Sequence, residues 1–80
     1  MIYYVALPFT HIEGGSLAPG QAVECPHGNA AIRRAQAMST DKTNAGAIAF
    51  SRHGDPEVGE FDDAVILKTF GDVPEDFGHA

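Results

Sequence analysis

The segment AGAIAFSRHGDPEVGEFDDAVILKTF, residues 45–70, decides the fold of this chain. It holds two apolar runs, and the polar stretch between them contains Gly54, Asp55, Pro56 and Gly59. Apolar runs on either side of a segment rich in glycine, proline and aspartate are typical of a β-hairpin with a loop of several residues. We therefore predict a hairpin as the organising element of the fold.

The first strand of this hairpin has two unequal faces. Ile48 and Phe50 share one face, because successive side chains of a strand point to opposite sides. The other face carries only Ala47, Ala49 and Ser51. A flat face of this kind lets a helix approach closely, so we expect the helix there and the bulky face to need another cover.

One strand and one helix precede the hairpin. Residues 2–9 are β-branched and aromatic and are apolar on both faces, which predicts a strand. Pro8 cannot donate to a ladder, so we expect pairing to fail near that end. Residues 28–38 carry apolar side chains at helical spacing: Ala31, Ile32, Ala35 and Met38. Either His27 or Asn29 can cap this helix, and Asn29 is the better capping type.

The remaining segments give weaker signals. Residues 11–20 are rich in glycine and predict a flexible loop, and residues 21–25 predict a short strand that stops at Pro26. Residues 75–80 predict a frayed acidic tail. The whole chain, residues 1–80, is then a single small α+β domain.

We predict a three- to four-stranded antiparallel or mixed sheet with one helix packed on one face, in the order β-(β)-α-β-β. Two arrangements remain open. The first strand can lie parallel to residues 45–52, with the helix as a right-handed crossover, or it can pair antiparallel. In both, the second face of the sheet lacks a helix, and a large open apolar patch is unusual on a monomer. We therefore predict a homodimer joined through the helix-free face.

Composition excludes several classes of partner. The chain has 80 residues, and its single cysteine, Cys25, excludes an internal disulfide. Eleven acidic residues against five basic ones give a net charge of −6, which repels nucleic acids and anionic lipid surfaces. No membrane-spanning run and no signal-peptide pattern is present, so we expect a cytoplasmic protein without nucleic-acid or membrane partners.

Cys25 and His27 are the first candidates for a ligand site. They supply two soft ligands two residues apart, and His11 and His53 lie where they could join them. Zinc sites usually show two such pairs, so we predict neither a metal nor a cofactor. A thiol beside a histidine near a helix N-terminus also suggests a nucleophile, but Pro26 separates the two residues and no orienting group is evident. We assign no catalytic residue.

Charged residues supply the other candidates. Arg33 and Arg34 on the outer side of the helix and Arg52 beside His53 could bind an anion or carboxylate. The acidic cluster that begins at Asp55 does not follow the calcium-loop pattern of ligand positions, so a solvated turn is the better interpretation. No phosphate-binding glycine motif is present.

Four motifs together resemble a group of short uncharacterised bacterial proteins of unknown function. They are Y-x-V-x-L-P-F, A-A-I-R-R-A, G-A-I-A-F-S-R-x-G-D-P-x-x-G-E-F-D-D-A and F-G-D-V-P, and they extend over nearly the whole chain. The resemblance implies a stand-alone single-domain protein and carries over no site residue.

We therefore expect a small non-enzymatic interaction module that binds itself or another protein. The first alternative is a protein that binds a small ligand or a metal through Cys25 and His27, with Arg33, Arg34, Arg52 and His53 nearby. The second is a thiol-dependent enzyme.

Overall fold

The computed structural model of the chain describes residues 1–55, 57–75 and 77. Within these residues one α-helix packs on an antiparallel sheet of six strands. The elements in chain order are β1 (Ile2–His11), a short 3-10 helix (Glu13–Gly15), β2 (Leu17–Pro19), β3 (Val23–Cys25), α1 (Gly28–Ser39), β4 (Gly46–Asp55), β5 (Glu60–Phe61) and β6 (Val65–Gly71). The α+β class is confirmed.

The two long strands, β1 and β4, form the centre of the sheet. They pair antiparallel from Ile2 opposite His53 to Phe9 opposite Gly46. Strands β2 and β3 pair with the other edge of β1, and β5 and β6 pair with the other edge of β4, all antiparallel. The alternative with a parallel crossover is therefore wrong, and so is the prediction of only three or four strands.

The extra strands arise because each outer position of the sheet is shared by two short strands. On the β1 side, the break between β2 and β3 falls beside Pro8. The amide of Gly20 donates to the carbonyl of Pro8 at 2.8 Å, so Pro8 directs its polar backbone toward this break. Its missing N–H is therefore not needed for pairing with β4, where Pro8 lies opposite Ala47. The expectation that pairing fails near Pro8 is therefore confirmed on the side of β2 and β3 and wrong on the side of β4.

The hairpin is also more divided than its sequence predicts. Phe61 belongs to β5, which pairs with the far end of β4, and the second long strand begins only at Val65. A bulge in the pairing of β4 with β6 places Ile66 opposite Phe50 but Lys68 opposite Ala49. Because of this change of register, Ile66 lies on the same side of the sheet as Phe50, and Phe70 lies on the alanine side.

The helix packs on the alanine face, as predicted. Ala31 and Ala35 of α1 are fully buried against Ala6, Ala47 and Ala49 of the central strands. Side chains this small allow the helix backbone to lie close to the sheet. The prediction for this face of the hairpin is confirmed.

The structure decides between the two capping residues that the sequence offers. His27, not Asn29, is the N-cap residue, and its Nδ1 accepts a hydrogen bond of 3.1 Å from the amide of Ala30. The backbone of His27 is extended, so its side chain lies next to the unpaired amides of the first turn. Sequence preference favours asparagine here, but the position at which the chain enters the helix decides the cap.

The opposite face is partly covered by the chain itself. Phe9, Ile48 and Phe50 are buried there. Val73 and Phe77, which follow β6, pack against them, and the Phe77 ring lies 5.8 Å from that of Phe9 and 5.1 Å from that of Phe50. The face predicted to be open is therefore open only in part.

Two predicted irregular segments are placed as follows. Between residues 11 and 20 the chain forms the short 3-10 helix and then β2, which pairs with the end of β1. Of the predicted tail, residues 76 and 78–80 lie outside the described residues, and Glu75 is exposed.

Candidate functional site

An open groove crosses the helix-free face beside the region that Phe77 covers. Its volume is about 520 Å³, within the range of known ligand and docking sites. Residues of β1, β3, β4 and β5 and the segment before β3 line it: Tyr3, Val5, Ala22, Glu24, Phe50, Arg52 and Phe61. We call this the open groove.

Strand register brings the floor of the groove together. Val5 lies opposite Phe50 on one side and opposite Glu24 on the other. Directly opposed residues of an antiparallel pair share a face, so these three side chains form one row across the sheet. The next row along β1 places Tyr3 opposite Arg52. The groove thus combines an apolar floor with one acidic and one basic group.

An aromatic pair forms the wall nearest the hairpin tip. The rings of Tyr3 and Phe61 are 6.0 Å apart and inclined at 45°. Phe61 reaches this position by lying across Gly54, its partner in β5 pairing, where a Cβ atom would fall inside the ring. Glycine at position 54 is therefore required for this wall, and half of the Phe61 side chain stays exposed.

Arg52 is the basic group of the groove. Its guanidinium carbon lies 5.8 Å from the centre of the Phe50 ring, close enough for a cation–π contact. Its Nε is shielded from solvent and has no hydrogen-bond partner among the described residues. A half-buried cation that lacks a counter-ion is costly, because burial removes part of its hydration. Pairing with an anionic group would offset this loss of hydration, so Arg52 favours an anionic partner.

Glu24 is the acidic group, and it lies on the other side of β1 from Arg52. Within the described part of the chain, the one close contact between a basic and an acidic side chain joins His11 and Asp72, whose atoms are 3.7 Å apart and largely exposed. Glu24 and Arg52 therefore do not neutralise each other. The groove offers both charges to a partner at the same time.

The exposed apolar side chains of β6 lie on both faces of the sheet. Val65 lies opposite Ser51 on the helix side, and Leu67 lies close to the first residue of α1. Ile66 is exposed at 40%. In the described residues β6 pairs only with β4, so its outer edge is free. Ile66 lies opposite Phe50 and hence on the groove side of the sheet. It adds an apolar rim to the open groove.

The structure does not place Cys25 and His27 in this groove. Cys25 is half-buried on the helix side, packed against the alanine cluster, and its thiol contacts the carbonyl of Val23 at 3.6 Å. His27 is exposed and uses its Nδ1 to cap the helix. Cys25 and Arg52 therefore occupy opposite faces of the sheet.

The other predicted site residues are also dispersed. Arg33 and Arg34 are exposed on the outer side of α1. His53 lies opposite Ile2 and lines a separate polar hollow of about 680 Å³ at the hairpin tip, together with Asp55, Glu60 and Asp62. In the residues that are described, no group of three or more His, Cys, Asp or Glu side chains is arranged to hold a metal ion. Of the six candidates, only Arg52 reaches the open groove.

One carboxyl group has a shifted pKa, and it lies outside the groove. The backbone amide of Thr43 donates to Asp41 at 2.9 Å and its hydroxyl donates at 2.8 Å. The amide first and then the hydroxyl hold the pKa of Asp41 below its usual value, because both stabilise the ionised form. This pair orders the loop between α1 and β4.

Comparisons with known proteins give no relative: no family model, curated protein or solved structure matches the chain. No helix in the described part of the chain has the length and apolar character needed to cross a membrane.

Sequence reasoning missed most of the groove. Tyr3, Glu24 and Phe61 belong to three strands far apart in sequence, and no motif links them. The alternation of side chains within β1 places Tyr3 and Val5 on one face, and this is the sequence feature that indicates part of the groove. Glu24 could have been added only with the register of β3 against β1.

Proposed function

We propose that this chain is a small non-enzymatic interaction module that forms a homodimer through the open groove and its rim. The observation that carries the proposal is the half-buried Arg52 beside the exposed ring of Phe61, with no hydrogen-bond partner for the Arg52 Nε in the described part of the chain. Exposed aromatic and arginine side chains are the residue types that contribute most to protein interfaces. On the helix-free face they lie together, next to the apolar rim of β6.

The size of the domain supports self-association. A chain this short buries a small core, and its helix side contributes mainly alanine side chains. A typical specific interface removes about 800 Å² from each partner, about one-seventh of the 5301 Å² that the described residues expose. Covering the groove would therefore add a second buried layer to a thin molecule.

Mass in solution tests the proposal. Sedimentation equilibrium over a wide concentration range is expected to show a reversible dimer of the 8.5 kDa chain. Phe61→Ala is expected to weaken the dimer at least tenfold, because it removes an exposed aromatic ring from the wall of the groove. Ile12→Ala is the matched control, since Ile12 and Phe61 are both exposed at 49% and Ile12 lies far from the groove. A chain that stays monomeric at every concentration would contradict the proposal.

A second candidate function is the binding of a small apolar carboxylate in the same groove. It is favoured by the volume of the groove and by the unneutralised Arg52, whose guanidinium can hold a carboxylate with two hydrogen bonds. Titration calorimetry with 2-naphthoate checks it, with Arg52→Gln as the variant that abolishes binding. Heat of binding that is equal for both proteins would contradict this candidate.

A further inference from the structure

We infer that the two protomers meet about a two-fold axis that runs along β1, so that Arg52 of each protomer pairs with the partner's Glu24. This inference rests on the proposed homodimer and specifies its geometry. It makes the two unneutralised groups of the groove each other's counter-ions across the interface.

The positions of the two residues in the sheet decide the axis. Glu24 lies on β3 and Arg52 on β4, the strands that flank β1 on its two sides. Each is therefore displaced from β1 by about 4.8 Å, in opposite directions. Rotation by 180° about an axis along β1 exchanges the two sides, and the partner's Glu24 then lies above β4.

The remaining offset is within the reach of the side chains. Glu24 is level with Val5, and Arg52 is level with Tyr3. Two residues of a strand span about 7 Å, which the long side chains of arginine and glutamate can bridge between them. An axis perpendicular to the strands would instead place each charged group over its own copy on the partner, and like charges would meet. The charges therefore select the axis along β1.

Self-complementarity identifies the occupant as a second copy of this chain. In a two-fold interface, if residue i contacts residue j, then j also contacts i. One acidic and one basic group on opposite sides of a central apolar strand meet this requirement. Each contact forms twice, while Tyr3 and Val5 of β1 lie near the axis.

Electrostatics also require a specific attraction. Each copy carries a net charge of −6, which opposes the approach of two copies. Two reciprocal ion pairs counteract this repulsion at the contact. The partner's carboxylate would pair with the terminal nitrogens of the Arg52 guanidinium, which are not shielded as Nε is.

Charge reversal provides the test. Glu24→Arg leaves two arginines at each contact, and Arg52→Glu leaves two glutamates. Each variant alone is expected to dissociate at least 100-fold more readily than the native chain. An equimolar mixture of the two is expected to form a heterodimer, because both of its contacts then join opposite charges. The double variant E24R/R52E is expected to form a homodimer again.

Arg34→Glu is the matched control for the change in net charge. Arg34 is exposed on the helix side, so the dimer of this variant is expected to be as stable as the native one. Circular dichroism establishes that every variant is folded. Glu24 and Arg34 are exposed and Arg52 is only half-buried, so all variants are expected to fold.

The outcomes separate this inference from the function on which it rests. A native chain that never dimerises contradicts the proposed homodimer itself. A native dimer whose single-reversal variants dimerise equally well contradicts only the Arg52–Glu24 pairing. Monomeric variants whose mixture remains monomeric also contradict the pairing, because the charges would then act within each chain and not across the interface.

Discussion

The two faces of the sheet are built on opposite principles. On the helix side, five alanines from three elements are fully buried, and the helix lies close to the strands. On the other side the central strands carry large side chains, among them Phe9, Ile48 and Phe50. Val73 and Phe77 cover one half of that side, and the open groove occupies the other half.

This difference shows that side-chain size determines how completely each face of the sheet is covered. Small side chains let the helix lie close to the strands, so that the five alanines are fully buried. Large aromatic side chains need a cover of matching size, which Val73 and Phe77 supply only over part of the face. The sequence of β4 already shows these two unequal faces. The alanine face is covered by the helix, and the opposite face remains partly available for binding.

The largest effect is expected from the same substitution made once on each face. Ala49→Leu adds three carbon atoms where the helix and sheet are in close contact, and overpacking is expected to reduce the free energy of unfolding by about 3 kcal/mol. Ala22→Leu makes the same change in the exposed groove, where about 0.5 kcal/mol or less is expected. Urea denaturation measures both, and similar losses would remove the distinction between the faces.

An intermediate effect is expected within the aromatic face. Phe77→Ala removes a ring that packs on Phe9 and Phe50 and is expected to cost about 2 kcal/mol of stability. Phe61→Ala removes a half-exposed ring that contacts Tyr3, and about 0.5–1 kcal/mol is expected. Thermal unfolding of the two variants compares them. If Phe61 proves the more costly residue, the covered and open halves have been assigned the wrong way round.

The smallest effect is expected where neither face is involved. Thr43→Val removes the hydroxyl donor to Asp41, so the pKa of Asp41 is expected to rise toward its usual value but to stay below it, because the backbone amide remains. Carboxyl NMR titration measures this shift.

The sign of the accompanying pH effect follows from the lowered pKa. Folding favours ionised Asp41, so its contribution to stability is complete above about pH 4 and is lost as the pH falls through the lowered pKa. Asp41→Asn is expected to remove that part of the acid dependence of urea denaturation. An unchanged pH profile would show that the loop pair does not influence folding.

Local patterns in the sequence predicted the large elements well. Alternation in residues 2–9 and 45–52 identified both central strands and the correct faces, because burial on the two sides differs in side-chain size. The helical spacing of Ala31 and Ala35 identified the helix and its packing side. These features depend on neighbours in sequence, which is why the sequence alone was sufficient.

The short strands and the site could not be predicted in the same way. Strands β2 and β5 have three and two residues, too few to show a period, and β2 ends at a proline. The groove depends on the register between strands that are distant in sequence. The predicted ligand site at Cys25 and His27 depended only on their closeness in sequence. Side chains alternate between the two faces along β3, so Cys25, the last residue before Pro26, lies on the face that packs against the helix.

The break in the sheet beside Pro8 has a consequence for local dynamics. Because β2 and β3 are joined to β1 by separate ladders, β3 can open without disturbing β2 or the β1–β4 centre. Its three residues include Glu24, so each opening withdraws the acidic group while Arg52 stays in place on β4. Amide hydrogen exchange is accordingly expected to be faster in β3 than in β1 and β4. The opening rate of β3 then determines how long Glu24 and Arg52 are present in the open groove together.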